Sequence, residues 1–222
     1  MTRSPPGSNQ RKKHRFNKAW MHEHVTDPYV REAQAKGYRS RAAFKLIELA
    51  EKDRLLAPGM AVVDLGAAPG SWCQVLRERV GPSARIVAVD LLPMEPLRGV
   101  TFVQGDFRED ETLQAVAEAV GPGKAVLVLS DLAPNISGVA SADQARSVYL
   151  GERALEFARR ALQPGGNLVV KAFQGAGFGE LERQLKASFE KVYVRKPKAS
   201  RDRSREVFLV AKGFRSSSFD DA

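Results

Sequence analysis

Short apolar runs alternate along the chain with stretches of helical periodicity. Before the first run, apolar positions three and four residues apart predict a helix over Ser40–Leu56, which Pro58 and Gly59 terminate. The same spacing predicts four later helices, at Ser71–Val80, Glu109–Val120, Ala142–Leu162 and Phe178–Phe189. The apolar runs predict seven strands, at Met60–Leu65, Arg85–Asp90, Val100–Gln104, Ala125–Asp131, Asn167–Ala172, Lys191–Arg195 and Glu206–Ala211.

In the central strands the apolar residues are consecutive, as in AVVDLG, RIVAVD, AVLVLSD and NLVVKAF. Parallel strands covered by helices on both faces have this composition, whereas half-exposed strands alternate apolar and polar residues. Pro164-Gly165-Gly166 is predicted to end the long helix before the fifth strand begins. The last two strands have no helix between them, which predicts an antiparallel hairpin at one edge. The predicted fold is α/β: one doubly wound domain on a mostly parallel, seven-stranded sheet.

Composition excludes several classes of protein. With 43% hydrophobic and 27% charged residues in a chain of 222, disordered and fibrous architectures are excluded. No uncharged apolar run approaches the ~18 residues that a membrane span needs, and Ser4, Pro5 and Pro6 stand where a signal peptide would be apolar. The single cysteine, Cys73, excludes an intrachain disulfide and a cysteine-rich zinc site. We therefore expect a cytoplasmic protein with no metal site and no membrane contact.

Positive charge is concentrated at both ends of the chain. Residues 1–45 carry a net charge of +8 and residues 191–222 carry +5, while residues 46–190 carry −4. Clustered cations favour a phosphate backbone, because binding releases the counterions condensed on it. The alternative is a basic tail and a solvated loop. We predict a nucleic-acid-binding protein with a basic, flexible arm over residues 1–28, a domain over 29–214 and a disordered tail over 215–222.

A loop containing two glycines, Gly66-Ala-Ala-Pro-Gly70, joins the first strand to its helix. Glycines let a ligand approach the backbone, and the following helix supplies free N–H groups. The next two strands are followed by acids: Asp90, which can bind a ribose diol, and Asp106, which can bond an adenine amino group. The GxxPG spacing lacks the usual third glycine of a pyrophosphate loop, which favours S-adenosylmethionine over NAD. Acids at strand ends also serve as helix caps, so this pattern alone leaves the cofactor open.

Five segments of the chain resemble, in the same order, the motifs of a known family. They are Tyr38-Arg-Ser-Arg-Ala-Ala-Phe-Lys45-Leu, Val63-Asp-Leu-Gly-Ala-Ala-Pro-Gly-Ser-Trp72, Ser130-Asp-Leu-Ala-Pro-Asn135, Val169-Val-Lys171-Ala-Phe-Gln-Gly175 and Ser204-Arg-Glu206-Val-Phe. Over about residues 29–214 the chain resembles the RlmE (FtsJ/RrmJ) family of ribosomal RNA ribose 2′-O-methyltransferases. The resemblance implies a Rossmann-like methyltransferase domain, S-adenosylmethionine as cofactor, and methylation of a uridine ribose in 23S rRNA of the large ribosomal subunit.

The resemblance also implies roles for individual residues. Four residues, which we call the tetrad, match the family's catalytic positions, with Lys171 as the proton acceptor: Lys45, Asp131, Lys171 and Glu206. The matches to cofactor-binding positions are Gly70, Trp72, Asp90, Asp106 and, beside the methyl donor, Asp131. A lysine inside the apolar strand LVVKAF is costly without a purpose, and a nearby cation favours the neutral form that a base requires. The alternatives are that each lysine forms a surface ion pair and that Trp72 packs in the core.

Other functions stay open at this point. A tRNA or mRNA-cap 2′-O-methyltransferase would use the same tetrad, although a single domain without appended modules favours the ribosomal enzyme. A non-catalytic ribosome-assembly factor could hold the cofactor as a structural ligand, but it would not need paired lysines and acids. A nicotinamide dehydrogenase is the third alternative. We expect the protein to act as a monomer.

Overall fold

The structure, a computed structural model, describes residues 27–134, 137–201 and 203–215. The predicted arm up to residue 26 and the tail from residue 216 lie outside the described residues. In these ranges the helices are α1 Pro28–Ala35, α2 Ala42–Asp53, α3 Ser71–Val80, α4 Asp110–Val120, α5 Ala140–Ala161 and α6 Phe178–Ser188. The strands are β1 Ala61–Leu65, β2 Arg85–Asp90, β3 Thr101–Gln104, β4 Ala125–Ser130, β5 Leu162–Phe173, β6 Phe189–Arg195 and β7 Glu206–Phe214.

The seven strands form one sheet in the order β3-β2-β1-β4-β5-β7-β6. The pairs from β3 to β5 are parallel, whereas β7 runs antiparallel to both β5 and β6. The chain continues from β1 to β2 on one side and later returns to β4 on the other, so a crevice opens beyond the carboxyl ends of β1 and β4. The structure confirms the predicted mostly parallel sheet with an antiparallel edge hairpin.

Helices cover both faces of the sheet, which explains the consecutive apolar residues. In β1, Ala61, Val63 and Leu65 pack into a core with α4, α5 and α6, while Val62 packs on the opposite face with α2 and α3. All five β1 residues are buried, as a strand covered on both faces requires. Among the helices of the described ranges, none is long and apolar enough to cross a lipid bilayer.

The prediction for β5 was wrong at its start, because the chain passes from α5 at Ala161 directly into the strand at Leu162. Leu162 pairs with Ala125 and Asn167 pairs with Leu127, so the residues between Leu162 and Asn167 form a bulge in the β4–β5 ladder. The triplet Pro164-Gly165-Gly166 lies in this bulge. A bulge and a helix break need the same residue types, so the triplet alone could not distinguish them.

Helix α1 was not predicted, and it begins at Pro28, inside the segment predicted as the arm. Asp27 caps this helix, since its carboxylate accepts a hydrogen bond of 2.9 Å from the Tyr29 backbone N–H. The same carboxylate forms an ion pair with Arg41, one residue before α2. Asp27 and Pro28, which the prediction assigned to the arm, therefore contribute to the cap and the first turn of α1.

A buried ion pair fixes the edge hairpin to α2. The Arg195 guanidinium, at the end of β6, lies 2.6 Å from Asp53 Oδ1, at the end of α2. Asp53 is only 7% exposed, and Lys212 Nζ, in β7, donates to its backbone carbonyl at 2.7 Å. These contacts fix the relative positions of α2 and β7, the two elements that carry Lys45 and Glu206.

Candidate active site

The predicted site residues come together at one edge of the sheet. Asp90 ends β2, Asp131 follows β4, and Lys171 lies near the carboxyl end of β5. Glu206 begins β7, and because that strand is antiparallel its first residue pairs with Phe173 at the same edge. Four strands therefore bring site residues to the crevice beyond β1 and β4.

A cavity of about 780 Å³, which we call the strand-end cavity, occupies this crevice. Its walls include the strand-end acids Asp90, Asp106 and Asp131. Leu91 and Leu92 also line it, and their side chains are 62% and 65% exposed. A volume in the range of small-molecule sites, with apolar surface and a few convergent polar groups, is typical of a cofactor pocket.

The loop after β1 is fixed in place by backbone contacts. Gly66 N and Ala67 N both donate to the Val89 carbonyl of β2, at 2.9 and 3.1 Å. Gly70, at the start of α3, has φ +102°, and a Cβ there would lie 2.7 Å from Arg39 Nη1. Arg39 in turn donates to the carbonyls of Pro69 at 2.9 Å and Glu95 at 2.8 Å. Gly70 is therefore required for the close packing of the Arg39 side chain against this loop. The sequence analysis did not identify this structural role of Arg39.

Asp90 is oriented by two backbone donors. Its Oδ2 accepts from Ala68 N at 2.9 Å and its Oδ1 accepts from Leu92 N at 2.8 Å. An ionised carboxylate can accept about four hydrogen bonds, so each oxygen keeps a lone pair for a ligand. The glycine loop and the β2 acid thus form one rigid unit at the cavity wall.

Asp106 is held by a neighbour that the sequence analysis did not identify. Arg108 Nε lies 2.7 Å from Asp106 Oδ1 and 2.9 Å from Oδ2, and the Arg108 backbone N–H also donates to Oδ1. The hydrogen bonds from the Arg108 side chain hold the pKa of the Asp106 carboxyl below its usual range. Arg108 and Tyr149 both line the strand-end cavity. Asp106 is thus available to a ligand only through the lone pairs that Arg108 leaves free.

Trp72 and Gly70, both predicted to bind cofactor, do not line the strand-end cavity. Trp72 is 3% exposed, its Nε1–H donates to the Ala42 carbonyl at 2.8 Å, and its ring lies 5.8 Å from that of Phe208. Trp72 thus connects α3 to the first residue of α2 and to β7. The structure places the indole in the core, where it positions the elements that carry Lys45 and Glu206.

Asp64, the acid inside β1, is also buried, at 1% exposure, and lies outside the cavity lining. Burial raises the pKa of its carboxyl to about 7, although a hydrogen bond from Cys73 Sγ, 3.3 Å from Oδ2, acts in the opposite direction. Cys73 is fully buried, and burial raises the pKa of its thiol far above the usual value. The single cysteine is therefore a buried structural thiol.

The four tetrad residues form one connected cluster. Lys171 Nζ lies 2.9 Å from Asp131 Oδ1 and also donates to the Asp131 carbonyl at 2.7 Å. Lys45 Nζ lies 2.7 Å from Glu206 Oε1 and 3.9 Å from the same Asp131 oxygen that Lys171 contacts. Two cations and two anions alternate in this cluster, so each ammonium faces a carboxylate and the formal charge is zero.

Burial and charge act in opposite directions at Glu206. Burial acts to raise the pKa of this carboxyl, but the charges of Lys45 and Lys171 and hydrogen bonds from Lys45 and Ser200 hold the pKa below its ordinary value. Ser200 Oγ donates to Glu206 Oε1 at 2.8 Å, a contact that no sequence signal indicated. Lys171 itself is only 8% exposed. A lysine buried against a carboxylate next to an open cavity is the arrangement expected of a catalytic group.

A second cavity, of about 570 Å³, lies on the α2 side of the tetrad. We call it the basic cavity, because Lys45, Arg41, Arg201 and Arg203 line it together with Glu206. The loop between β6 and β7 forms one wall, and within that loop Lys196 Nζ donates to the carbonyls of Arg201, Ser204 and Glu206. Basic residues from the positively charged C-terminal part of the sequence therefore lie next to Lys45 and Glu206 of the tetrad.

Comparison with known proteins agrees with this geometry. The model of the FtsJ-like methyltransferase family matches residues 38–214. The chain belongs to the FtsJ-like methyltransferase family. It is 59% identical over 199 residues to the ribosomal RNA large subunit methyltransferase E of Azoarcus sp. (strain BH72), covering 90% of this chain and 97% of that protein. The protein of that name from Stutzerimonas stutzeri is 54% identical over 204 residues, covering 92% and 99%.

The fold is also similar to a solved member of this group. A crystal structure described as a ribosomal RNA methyltransferase from Plasmodium falciparum superposes with a TM-score of 0.70 at 33% identity, covering 80% of this chain and 98% of that one. The protein is therefore an FtsJ-like methyltransferase, and its reaction requires a methyl donor. Within the described ranges, no group of three or more histidine, cysteine or acidic side chains is placed to hold a metal ion.

Proposed function

We propose that this protein transfers a methyl group from S-adenosylmethionine to the ribose 2′-oxygen of a uridine in 23S rRNA of the large ribosomal subunit. The observation that carries the proposal is the buried Lys171 amine, 2.9 Å from Asp131. Asp131 lines the strand-end cavity, and Lys45 and Glu206 of the same tetrad line the basic cavity. The names of its relatives support rRNA of the large subunit as the substrate. All four tetrad residues come from one chain, which supports a monomer. The names of the relatives, which refer to ribosomal RNA, support action in the cytoplasm.

The strand-end cavity fits S-adenosylmethionine in size and chemistry. Asp90 keeps acceptors for a ribose diol, Leu91 and Leu92 present apolar surface to an aromatic ring, and Asp131 offers negative charge to a sulfonium. When bound, this cofactor supplies an electrophilic methyl group. We assign Asp90, Asp106 and Asp131 to direct contact, and Gly70 and Trp72 to support of the loop and of α2.

The tetrad supplies the groups that an alcohol nucleophile requires. A ribose 2′-hydroxyl is a weak nucleophile until its proton leaves, and neutral Lys171 can accept that proton at Nζ. Lys45 lies near the same Asp131 oxygen that Lys171 contacts, so one carboxylate holds both amines side by side. Asp131 and Glu206 fix the two amines in position, and positioning is the main requirement of an in-line methyl transfer.

We predict that Asp90→Ala weakens S-adenosylmethionine binding roughly 10- to 100-fold, because charge-assisted hydrogen bonds to the ribose are lost. Isothermal titration measures the dissociation constant. Glu118→Ala, which removes an exposed acid on α4, is the matched control and should bind normally. Equal dissociation constants for Asp90→Ala and the control would exclude Asp90 from the cofactor site.

The basic cavity predicts how RNA binding depends on salt. The double variant Arg201→Gln/Arg203→Gln removes two cations from the lining, which should reduce the log–log salt slope of RNA affinity by about 1.4. The control Arg160→Gln/Arg183→Gln removes two exposed arginines of α5 and α6. Filter binding of rRNA at several salt concentrations gives both slopes. A slope that changes as little in the first variant as in the control would place the phosphates elsewhere.

The proposed function is tested by the site of methylation. The protein is incubated with methyl-labelled S-adenosylmethionine and, separately, with large subunits, small subunits and tRNA from cells that lack its gene. We expect label only in 23S rRNA of the large subunit, on the 2′-oxygen of one uridine. Label confined to tRNA, label on a base, or no transfer to any of these RNAs would contradict the proposal.

A further inference from the structure

A third cavity, of about 490 Å³, lies beside the tetrad between α5 and the turn that follows β5. We call it the α5 cavity. Ala145, Val148 and Tyr149 of α5 form one wall, and Ala176 and Gly177 of the turn form the other. Neither the resemblance to the family nor the cofactor assignment uses any of these residues.

The α5 cavity is adjacent to the other two cavities. Tyr149 lines both the α5 cavity and the strand-end cavity. Arg205, at its rim, directly precedes Glu206, and the Arg205 carbonyl accepts a hydrogen bond of 3.0 Å from Gln174 N. The turn follows Phe173, the last residue of β5, which lies two residues beyond Lys171, or about 7 Å along the strand. If Lys171 contacts the 2′-oxygen of a ribose, a group on the neighbouring ribose carbon is therefore within reach of this cavity.

The cavity is held open by specific contacts. Gln144 Nε2 donates to the carbonyls of Phe173 at 2.9 Å and Ala176 at 3.0 Å, which fixes the turn against α5. Gly177 has φ +82°, and a Cβ there would lie 2.9 Å from a Val148 methyl group, so backbone and side chain are in close contact. The wall is therefore preformed rather than created by a ligand.

The lining suits a nucleobase better than a phosphate. Small apolar residues and the Tyr149 ring, which is 46% exposed, offer surface on which a planar ring can stack. Glu152 also lines the cavity, and Gln184 Nε2 donates to its Oε1 at 3.2 Å. A carboxylate repels phosphate but accepts hydrogen bonds from a base N–H group, such as the one at N3 of uracil. The basic cavity on the other side of the tetrad has the opposite character.

We infer that the α5 cavity binds the base of the target nucleotide, unstacked from its neighbours, while its phosphate lies in the basic cavity. This inference rests on the proposed function. The base is attached to the carbon next to the one that carries the 2′-oxygen, so an oxygen at Lys171 brings the base to an adjacent cavity. Of the two cavities beside the tetrad that are not assigned to the cofactor, the α5 cavity is the one that combines apolar walls with an acceptor other than a tetrad residue. Unpaired bases are commonly bound in this way, by stacking and hydrogen bonds.

The first test fills the cavity. Ala145 is exposed on α5, so Ala145→Trp places an indole in the cavity without disturbing the core. We expect its KM for large subunits to rise about tenfold or more, the effect of losing one stacked base, with unchanged S-adenosylmethionine affinity. Ala117→Trp, the same change at an exposed position of α4, is the control. If the wild type methylates 23S rRNA and both variants have its KM, the inference fails while the proposed function stands.

The second test removes the base. Large subunits are reconstituted from ligated rRNA segments that carry uridine or an abasic ribose at the target position. The abasic substrate should bind the wild type about as weakly as uridine substrate binds Ala145→Trp, and Ala145→Trp should weaken it no further. If Ala145→Trp weakened binding of the abasic substrate by the same factor as binding of the uridine substrate, the target base would lie outside the α5 cavity. An effect seen only when the neighbouring nucleotide is abasic would likewise overturn the assignment.

Discussion

Lys171→Ala is expected to abolish methyl transfer while leaving the fold and the affinity for S-adenosylmethionine in place. The reason is that the variant removes the amine that contacts both the Asp131 carboxylate and its carbonyl. If Lys171 accepts the ribose proton, loss of a general base should reduce the rate roughly 10²- to 10⁴-fold. The proposed cofactor contacts come from the ends of β2, β3 and β4, so cofactor binding should change little.

Single-turnover transfer to large subunits measures this effect, with circular dichroism and cofactor titration on the same preparation. Lys171→Met is the companion variant, because it keeps most of the side-chain volume and removes only the amine. Both variants should be inactive, since volume is not what the reaction needs. An active Lys171→Met variant would show that Lys171 fills space at the end of β5 and has no part in the chemistry.

The second large effect is expected at Asp131. Asp131→Asn preserves the size of the side chain and an oxygen that can accept from Lys171, but it removes the charge shared by Lys171 and Lys45. Lys45 would keep its ion pair with Glu206, whereas Lys171 would lose the ion pair with Asp131. We expect the transfer rate to fall about 100-fold or more, as is typical when an electrostatic group is lost from a buried site. Affinity for the cationic cofactor should fall as well, because Asp131 lines its cavity.

Asp110→Asn, a neutralised exposed acid at the start of α4, is the control for Asp131→Asn. Single-turnover rates and cofactor titration separate the two expected losses. If Asp131→Asn transferred methyl groups at the rate of the control, the shared carboxylate would have no role in holding the two amines.

The architecture was predictable because its main signal is local. Each central strand is a consecutive apolar run, and the acids that end β2 and β4 must lie at one edge of a parallel sheet. That edge brings Asp90, Asp106, Asp131 and Lys171 together without further information. The bulge at Pro164-Gly165-Gly166 was missed because the same residues end helices, and only pairing with β4 distinguishes the two outcomes.

The remaining two tetrad members could not be placed by such local rules. Lys45 comes from a helix before the sheet, and Glu206 from an antiparallel strand inserted between β5 and β6. Their 2.7 Å contact depends on long-range packing, including the Arg195–Asp53 ion pair. The hydrophobic periodicity of the sequence does not predict such contacts. The resemblance to the family supplied both residues. It also suggested Trp72 as a cofactor residue, which stays a prediction, and the structure adds that the indole is buried and bonded to the Ala42 carbonyl.

The Arg108–Asp106 pair shows a further limit of sequence patterns. Spacing identifies an acid after β3 but not the arginine two residues later that occupies both of its oxygens. The α5 cavity is similar, because it is formed by small residues with no distinctive chemistry. The apolar lining of this cavity depends on which residues of α5 face which residues of the turn after β5, and the sequence alone does not show that.

The central claim, that Lys171 accepts the proton of the ribose 2′-hydroxyl, is tested most directly by the Lys171→Arg variant. Arginine keeps the positive charge and the hydrogen bonds to Asp131, but its guanidinium does not release its proton at working pH. The measurement is the single-turnover methyl-transfer rate to large subunits at saturating cofactor, compared with wild type. The account predicts a rate lower by about 10² or more with cofactor and RNA binding retained, whereas a rate within about tenfold of wild type would contradict it.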